Sequence, residues 1–325
     1  MVKIKKFTAT NLEFKEIARI RNLVNHDSID HPNEDKNDWA IRDKSLIRNR
    51  LLLYNDNKLI GLLYYVQGRD ENSQTSFFNI VIDPQYNNHG YRELLYQEML
   101  KEVKSFDCNK LFSNVYEHPN YKNHQNLLIK ENFKLVQTNR EYSCDIGEVN
   151  TQKYKSLIDK LESEGIQFYD SKEEMLDWPD HYRKLEELEW TLDQDVPIPD
   201  GIKHTRMPFE QWKKVCLDFY NNSYGVDIIA IKNEKYIGST DLSVFPKSEP
   251  HKAWTGALGV IRDFRRQGIA TALKIKAIEA LLKKGITEIR TDNEENNPMY
   301  KINVALGFKP VPFSLEYMKK IKDKK

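Results

Sequence analysis

The sequence predicts an α/β (α+β) chain of two tandem domains, and three observations carry that prediction. Short apolar strand runs alternate with amphipathic helical stretches along 325 residues, a length that suits about two ordinary domains. The order of elements in the first half recurs in the second. The stretch Ile82 to Gly90 overlays Val260 to Gly268 with an aromatic residue at the same step (Tyr86, Phe264), and Asn132-Phe133 falls where Gly307-Phe308 falls. We place the domains at 1–145 and 146–325.

The elements follow in order. Val2 to Thr8 alternates like a strand, and Leu12 to Val24 carries apolar residues at helical spacing. Asn25 to Asp43 is polar, rich in Asn, Asp and His, and reads as a loop. Leu51 to Tyr54 and Leu59 to Val66 form a hairpin across Asn55-Asp56-Asn57. Phe77 to Ile82 is an apolar strand, Tyr91 to Phe106 a helix, Leu111 to Val115 a strand, Asn126 to Lys130 a helix and Phe133 to Tyr142 a closing strand. Ser143 to Asn150 loses periodicity and reads as the boundary.

The second half repeats the plan. A helix from Tyr154 to Leu161 stops at Gly165, a strand runs from Ile166 to Tyr169, and a helix runs from Tyr182 to Trp190. Leu192 to Gly201 is a proline-stiffened acidic loop, followed by a helix over Phe209 to Tyr220 and a hairpin of Asp227 to Ile231 with Tyr236 to Phe245. The strand Ala253 to Val260, a helix ending at Lys284, a strand at Glu288 to Thr291, a helix at Met299 to Leu306 and a last strand from Phe308 complete it.

Composition narrows the function classes. Hydrophobic residues at 39% and charged residues at 30% describe a globular chain with bulk for two cores. Lys plus Arg (50) nearly cancels Asp plus Glu (49), so no global field favours nucleic acid. The basic tail Lys319 to Lys325 reads as a solvated terminus. Cys108, Cys144 and Cys216 lack CxxC pairing, which argues for a reducing compartment and against disulfides or zinc. His26, His31, His118 and His124 lack ligand spacing, so no metal is expected. The N-terminus has no apolar signal core and no run reaches membrane-spanning length, so the expectation is a cytoplasmic protein without membrane partners.

The chemistry concentrates in Val260-Ile261-Arg262-Asp263-Phe264-Arg265-Arg266-Gln267-Gly268-Ile269-Ala270-Thr271-Ala272-Leu273-Lys274. A buried strand runs through a basic turn with one glycine into a helix that opens on small residues. The first N–H groups of that helix lack partners and the peptide dipoles favour negative charge there. Arg265 and Arg266 add charge, Gly268 permits close backbone approach, and Ala270 keeps the helix mouth open. This is a phosphate site by design, and we read it as holding a pyrophosphate. The first half has Asn87, Asn88 and Arg92 where the second has Arg265, Arg266 and Ala270. One competent site, in the second half, is therefore expected.

Arg265-x-x-Gly268-x-Ala270 between a strand and a helix resembles the acyl-CoA motif of the GCN5-related N-acetyltransferases. Asn296-Asn297-Pro298-Met299-Tyr300-Lys301-Ile302-Asn303-Val304-Ala305-Leu306-Gly307-Phe308 is similar to the same family's second CoA-contacting helix. A tandem chain with a decayed first copy resembles the mycothiol synthase type in architecture. The resemblance implies two mixed, mostly antiparallel sheets flanked by helices, with the motif strand splaying from its neighbour so that pantetheine adds into the gap. It further implies that Leu258, Gly259 and Val260 pair with the pantetheine amides. Arg265, Arg266, Gln267, Gly268, Ile269, Ala270 and Thr271 would hold the pyrophosphate, and Asn296 and Asn303 would face the arm.

The implied reaction is acetyl transfer from acetyl-CoA to a primary amine of a small molecule, by direct attack in a ternary complex. The alternative is a non-catalytic acyl-CoA-binding or regulatory protein. It is motivated by Asn303, which stands where many family members carry a tyrosine acid; Tyr300 lies one turn earlier. Asp292 is the candidate base, against a bland reading as a turn residue. Asp193, Asp195 and Trp254 are candidates for the acceptor site, with Glu189, Trp190 and Phe245 behind them. No nucleic-acid partner is implied, and the chain is expected as a monomer or homodimer.

Overall fold

The computed structural model describes residues 1–25, 27–297 and 299–321; His26, Pro298 and the tail from Lys322, named above, lie outside the described residues. Two compact units emerge. The first comprises Met1–Asn139, Ile198–Thr205 and the C-terminal segment from Pro312, and the second comprises Arg140–Pro197 and Arg206–Val311.

The first stretch of chain forms β1 (Val2–Lys6), α1 (Asn11–Val24), α2 (Pro32–Ile41), β2 (Arg48–Asn55), β3 (Lys58–Gln67), β4 (Thr75–Ile82), α3 (Tyr91–Glu102), β5 (Lys110–Tyr116), α4 (Lys122–Lys130) and β6 (Lys134–Asp145). Helix α2 replaces the expected loop. It buries no residue, so no apolar period marks it, and it is set instead by Pro32 at the first turn and by His31 Nδ1 accepting the Asn33 N–H at 3.2 Å. The sheet of this unit runs β1-β2-β3-β4-β5 and is antiparallel except for β4 with β5.

The remaining chain forms α5 (Lys155–Ser163), β7 (Ile166–Asp170), α6 (Ser171–Glu174), α7 (His181–Asp193), α8 (Phe209–Asn222), β8 (Val226–Lys232), β9 (Lys235–Val244), β10 (Lys252–Val260), α9 (Ile269–Lys283), β11 (Glu288–Glu294), α10 (Tyr300–Ala305) and β12 (Lys309–Lys320). The second sheet runs β11-β10-β9-β8-β7, with β10 parallel to β11 and the rest antiparallel. Its core gathers Leu185, Ile229, Ile237, Ala253, Leu273, Ile278 and Ile289.

The last strands depart from the expected boundary at 145/146. Strand β12, assigned to the second domain from the sequence, pairs antiparallel with β5 from Ser314↔Tyr116 to Lys320↔Lys110 and so completes the first unit. The residues of β6 from Arg140 complete the second unit beside β11, where Glu141 meets Arg290 at 3.3 Å and Ser143 Oγ donates to Glu288 at 2.7 Å. Both strands follow a short helix, a left-handed residue (Asn132 at φ 62°, Gly307 at φ 91°) and a phenylalanine. Local pattern cannot tell two such strands apart. Register in the completed sheet does.

Candidate functional site

The second unit opens a cleft in its sheet. Strands β10 and β11 pair over only Lys252↔Glu288, Ala253↔Ile289 and Trp254↔Arg290, then part, although both continue to Val260 and Glu294. A bulge between Thr255 and Ala257 bends β10 at the point of parting. Side chains of β9 hold the bulge: Asp241 Oδ1 accepts the Ala257 N–H at 2.8 Å and Thr240 Oγ1 donates to the Ala257 carbonyl at 2.8 Å. A Cβ at Gly256 would lie 2.0 Å from Asp241 Oδ2, so the glycine makes room for that carboxyl. Further along, Ile261 N–H bonds to Ile237 O. By the alternation of an antiparallel pair, Ala257, Gly259 and Ile261 face β9 while Leu258 and Val260 present their backbone groups to the gap. Of the three strand residues expected to pair with an arm, Gly259 thus faces the wrong way. It serves α7 instead, because a Cβ there would meet Leu192 at 3.0 Å.

The turn after β10 has the shape of an anion nest. Arg266 (φ 61°) and Gly268 (φ 89°) adopt the left-handed conformation on either side of Gln267, and Gly268 caps α9. A side chain at Gly268 would also lie 2.7 Å from Leu157. Ile269 is buried at the helix start, with Ala270 and Thr271 half-buried beside it. The cations are already engaged. Asp195 bonds Arg262 at 2.5 Å and also Arg265, whose Nε donates to the Val260 carbonyl at 2.8 Å. Those two guanidinium groups hold the Asp195 carboxyl down at about 2. Asp195, expected in the acceptor site, therefore sits on the turn arginines in the position of a competing anion.

The other expected residues scatter. Asn303 is buried in α10; its Nδ2 donates to Asn293 Oδ1 at 2.9 Å, and its own Oδ1 is buried without a hydrogen-bond partner. Asn296 is exposed and bonds Glu294. Tyr300 is half-buried, its ring under the Arg140 guanidinium at 5.8 Å. Asp292 is exposed as a residue, yet partial burial of its carboxyl raises it above the usual range against the pull of Lys274. Asp193 ends α7, half-buried. Trp254 lies at the closed base of the cleft, its Nε1 donating to Glu249 at 3.0 Å and its ring between Lys252 and Arg290 at 5.3 and 5.5 Å. A ring bound into that buried charged network is part of the scaffold, which removes it from the acceptor candidates.

What the sequence reading missed is a group of carboxyls on the α7–α8 face of the bulge. Asp227 and Asp241 are direct partners across β8 and β9, so both side chains share one face. Glu189 on α7 accepts from Trp212 Nε1 at 2.6 Å and feels both Asp241 and Glu186. Burial pushes Glu189 up to about 7 and Asp241 up to about 6, and drives Asp227 well above the carboxylate range. Glu189 stands behind the acceptor-site candidates in the sequence reading, and Asp241 carries no local signal of its own. The signal available was the shared strand register of Asp227 and Asp241, which only a paired hairpin exposes.

The first unit keeps the frame and differs at the cleft and the turn. Strands β4 and β5 also pair over three residues and part, but Asn79 Nδ2 reaches across to the Asn114 side chain and carbonyl, both at 3.1 Å. Gly90 (φ 73°) caps α3 as Gly268 caps α9, whereas Asn88 lacks the positive φ of Arg266. Arg92 fills the helix mouth: it is buried and its Nη1 donates to Asn87 at 2.8 Å. His124 on α4 bonds Ser113 at 2.9 Å and is pushed down to about 3 by burial, with Arg92 adding to the effect.

In each unit a sheet opens beside a left-handed glycine at a helix start, and in the second unit arginines flank that start; this is the frame of a tandem acyl-transfer fold. Comparison makes the family plain. The model of the acetyltransferase (GNAT) family matches residues 14–126 and again 182–306, and the chain belongs to that family in tandem form. A tandem GNAT protein from the clavulanic acid biosynthesis pathway, solved without AcCoA, matches with a TM-score of 0.79 at 14% identity, covering 100% of both chains. A GCN5-related N-acetyltransferase from Sphaerobacter thermophilus matches with a TM-score of 0.68 at 15% identity, over 98% of this chain and 96% of that one. A GCN5-related glucosamine N-acetyltransferase region of a fungal multi-domain β-N-acetylglucosaminidase matches with a TM-score of 0.71 at 13% identity, over 98% of this chain and 38% of that one. No curated protein sequence matches. Among the described residues no helix is long and apolar enough to cross a membrane.

Proposed function

We propose that the second unit transfers an acetyl group from acetyl-CoA to a primary amine of a small molecule, by direct attack in a ternary complex. One observation supports this above the others: the cleft between β10 and β11 ends at the Arg266–Gly268 nest, and the bulge where the strands part is held by Asp241. The donor thus has an anion seat at one end, and the amine has acidic groups at the other.

Leu258 and Val260 offer an edge for the pantetheine amides, and the buried, unpaired Oδ1 of Asn303 offers an acceptor to an amide N–H along the arm. The N–H groups of Arg266 through Thr271 suit the pyrophosphate, which must displace Asp195 from Arg265. The Val260 N–H faces the gap and stabilises negative charge developing on the thioester oxygen. Alignment of the two reactants supplies much of the rate. For deprotonation of the ammonium we favour Asp241 and Glu189 over Asp292, because their values near neutrality match the task. Asn303 cannot donate a proton usefully, and Tyr300 is turned to Arg140, so the sulfur leaves without a tyrosine acid.

The absence of that acid favours one other reading, an acyl-CoA-binding protein without turnover. Thiol release measured over a panel of amines separates the two, because sustained release with any amine rejects binding alone. Calorimetry with acetyl-CoA tests the donor seat. Undiminished binding when Arg265 and Gly268 are both replaced would sink the assignment.

A further inference from the structure

Asp227 and Asp241 stand directly opposite each other across β8 and β9, on one face of the sheet. Like charges at that position repel, and in a buried setting two neighbouring carboxylates do not both ionise. The two sides of the pair differ. Asp241 is half-buried, reaches the bulge of β10, and takes the Ala257 N–H, a donor that favours its charged form. Asp227 is buried and accepts from Tyr220 OH at 2.8 Å. Behind it runs a buried chain: Tyr220 OH to Ser171 Oγ at 2.5 Å, Ser171 Oγ to His181 Nε2 at 2.9 Å, and His181 Nδ1 to Tyr236 OH at 3.0 Å. Each of these groups can give or accept a hydrogen bond, so Tyr220 donates to Asp227 when it is ionised and accepts from it when it is protonated.

We propose that Asp227 and Asp241 hold one proton between them at neutral pH, with Asp227 as the resting proton site and a positioning residue that sets the ionisation of Asp241, the base toward the amine. The proposal deepens the acetyl-transfer reading and rests on it for the role of Asp241. One proton of the ammonium nitrogen ends on an Asp241 oxygen, the nitrogen lone pair so freed forms the C–N bond, and as the C–S bond breaks the second proton of the acylated nitrogen passes to the departing sulfur, so that CoA leaves as the thiol. Asp241 then returns the proton to solvent.

The groups facing the pair are identified from every packed element. Glu189 on α7 and Asp170 on β7 are acidic. Cys216 and Tyr220 on α8 are held neutral by burial, and Tyr236 on β9 and His181 on α7 are likewise neutral, His181 being pushed down to about 4. The cations Lys172 and Lys284 act on Asp170 and not on the pair directly. Among the described residues no cation neutralises Asp227 or Asp241, which leaves a proton as the neutralising charge.

The test has two arms. Carbon-13 NMR titration of the aspartate carboxyls in the full chain, without acetyl-CoA or amine, should show two coupled steps, one above neutrality. In Asp227→Asn the upper step should vanish and a single step for Asp241 should remain near the lower one. Both carboxyls of the unaltered chain titrating below about pH 5 would overturn the proposal, and that result needs no variant to fold. The second arm is the pH profile of turnover. Its acid limb should stay in place in Asp227→Asn, because the neutral amide mimics protonated Asp227, with the plateau kcat within about threefold and KM for acetyl-CoA unchanged. A limb that moves down by about one unit or more in a variant that melts normally overturns Asp227 as the resting proton site. A shared proton with no turnover of any amine refutes the acetyl-transfer reading while leaving the pair intact.

Discussion

The two sheet clefts of this chain share one scaffold and differ at the turn that leads into the following helix. In both, two parallel strands pair over three residues and part, and in both a left-handed glycine caps the following helix. The first cleft is then bridged by the Asn79–Asn114 amides and its helix mouth is filled by Arg92 on Asn87. The second stays open, with small residues at the mouth and Arg265 and Arg266 on the rim. The difference teaches that the fold does not need the turn arginines or the small residues at the helix mouth. What the fold needs is the glycine turn and the strand pattern, and these survive in the copy that lost the cations.

The largest expected effect comes from Asp241→Asn, which has no counterpart carboxyl in the comparison. Turnover should fall by about 10²–10⁴-fold while calorimetric acetyl-CoA affinity holds, since the base is lost and the donor cleft is not. A fall in both together would place Asp241 in the donor cleft.

Replacing Arg265 and Gly268 by alanine comes next. It removes a charged donor and forces a side chain against Leu157 at φ 89°, so acetyl-CoA affinity should drop by about 10²-fold or more. The matching change in the first unit, Gly90→Ala with Asn87→Ala, should leave acetyl-CoA affinity within about twofold.

Asp195→Asn should sharpen the picture in the opposite direction. It frees Arg262 and Arg265 from an exposed ion pair, so acetyl-CoA should bind up to about fivefold tighter, the more so at low salt. Weaker binding would mean that Asp195 organises the turn instead of competing for it.

The two units should also respond to pH with opposite signs. Asp241 and Glu189 have folded values raised to about 6 and 7, above those of an unfolded chain, so their contribution is fully present at acid pH and is lost as pH rises through 6 to 7. His124 in the first unit is lowered to about 3, so its neutral form supports folding above about pH 6.5 and that support fades as pH falls below it. Thermal melts of unaltered protein from pH 5 to 8 should therefore show the second unit losing ground at the alkaline end, and Asp227→Asn should flatten that limb.

The smallest effect is expected from grafting. Installing Asn87→Arg, Asn88→Arg and Arg92→Ala should give the first unit no measurable acetyl-CoA binding while Asn79 still bridges the strands. Adding Asn79→Ala should produce weak binding, detectable by calorimetry only after the second site has been disabled. Binding in the triple change alone would show that the bridge does not matter.

Much of this was legible in residue order. The paired halves, the strand–turn–helix at Val260 to Lys274 and the loss of its cations in the first copy are local facts, because helix starts, glycine turns and apolar periods are written over a few neighbouring positions. Helix α2 was not legible, since a surface helix without a buried face leaves no period to read. The exchange of β6 and β12 was not legible either, because two strands with the same local pattern differ only in the partner whose register they complete. The same reason explains the acceptor side. Asp195 was visible as a loop acid, but its placement on Arg262 and Arg265 depends on where the loop lies in space. Asp227 and Asp241 are fourteen residues apart in sequence and become one unit only when β8 and β9 pair. The sequence by itself determined the scaffold and the arginine-flanked glycine turn, which are built from contiguous backbone. Only the tertiary structure decided which carboxyls meet, since a buried charge takes its meaning from neighbours that the chain brings to it from elsewhere.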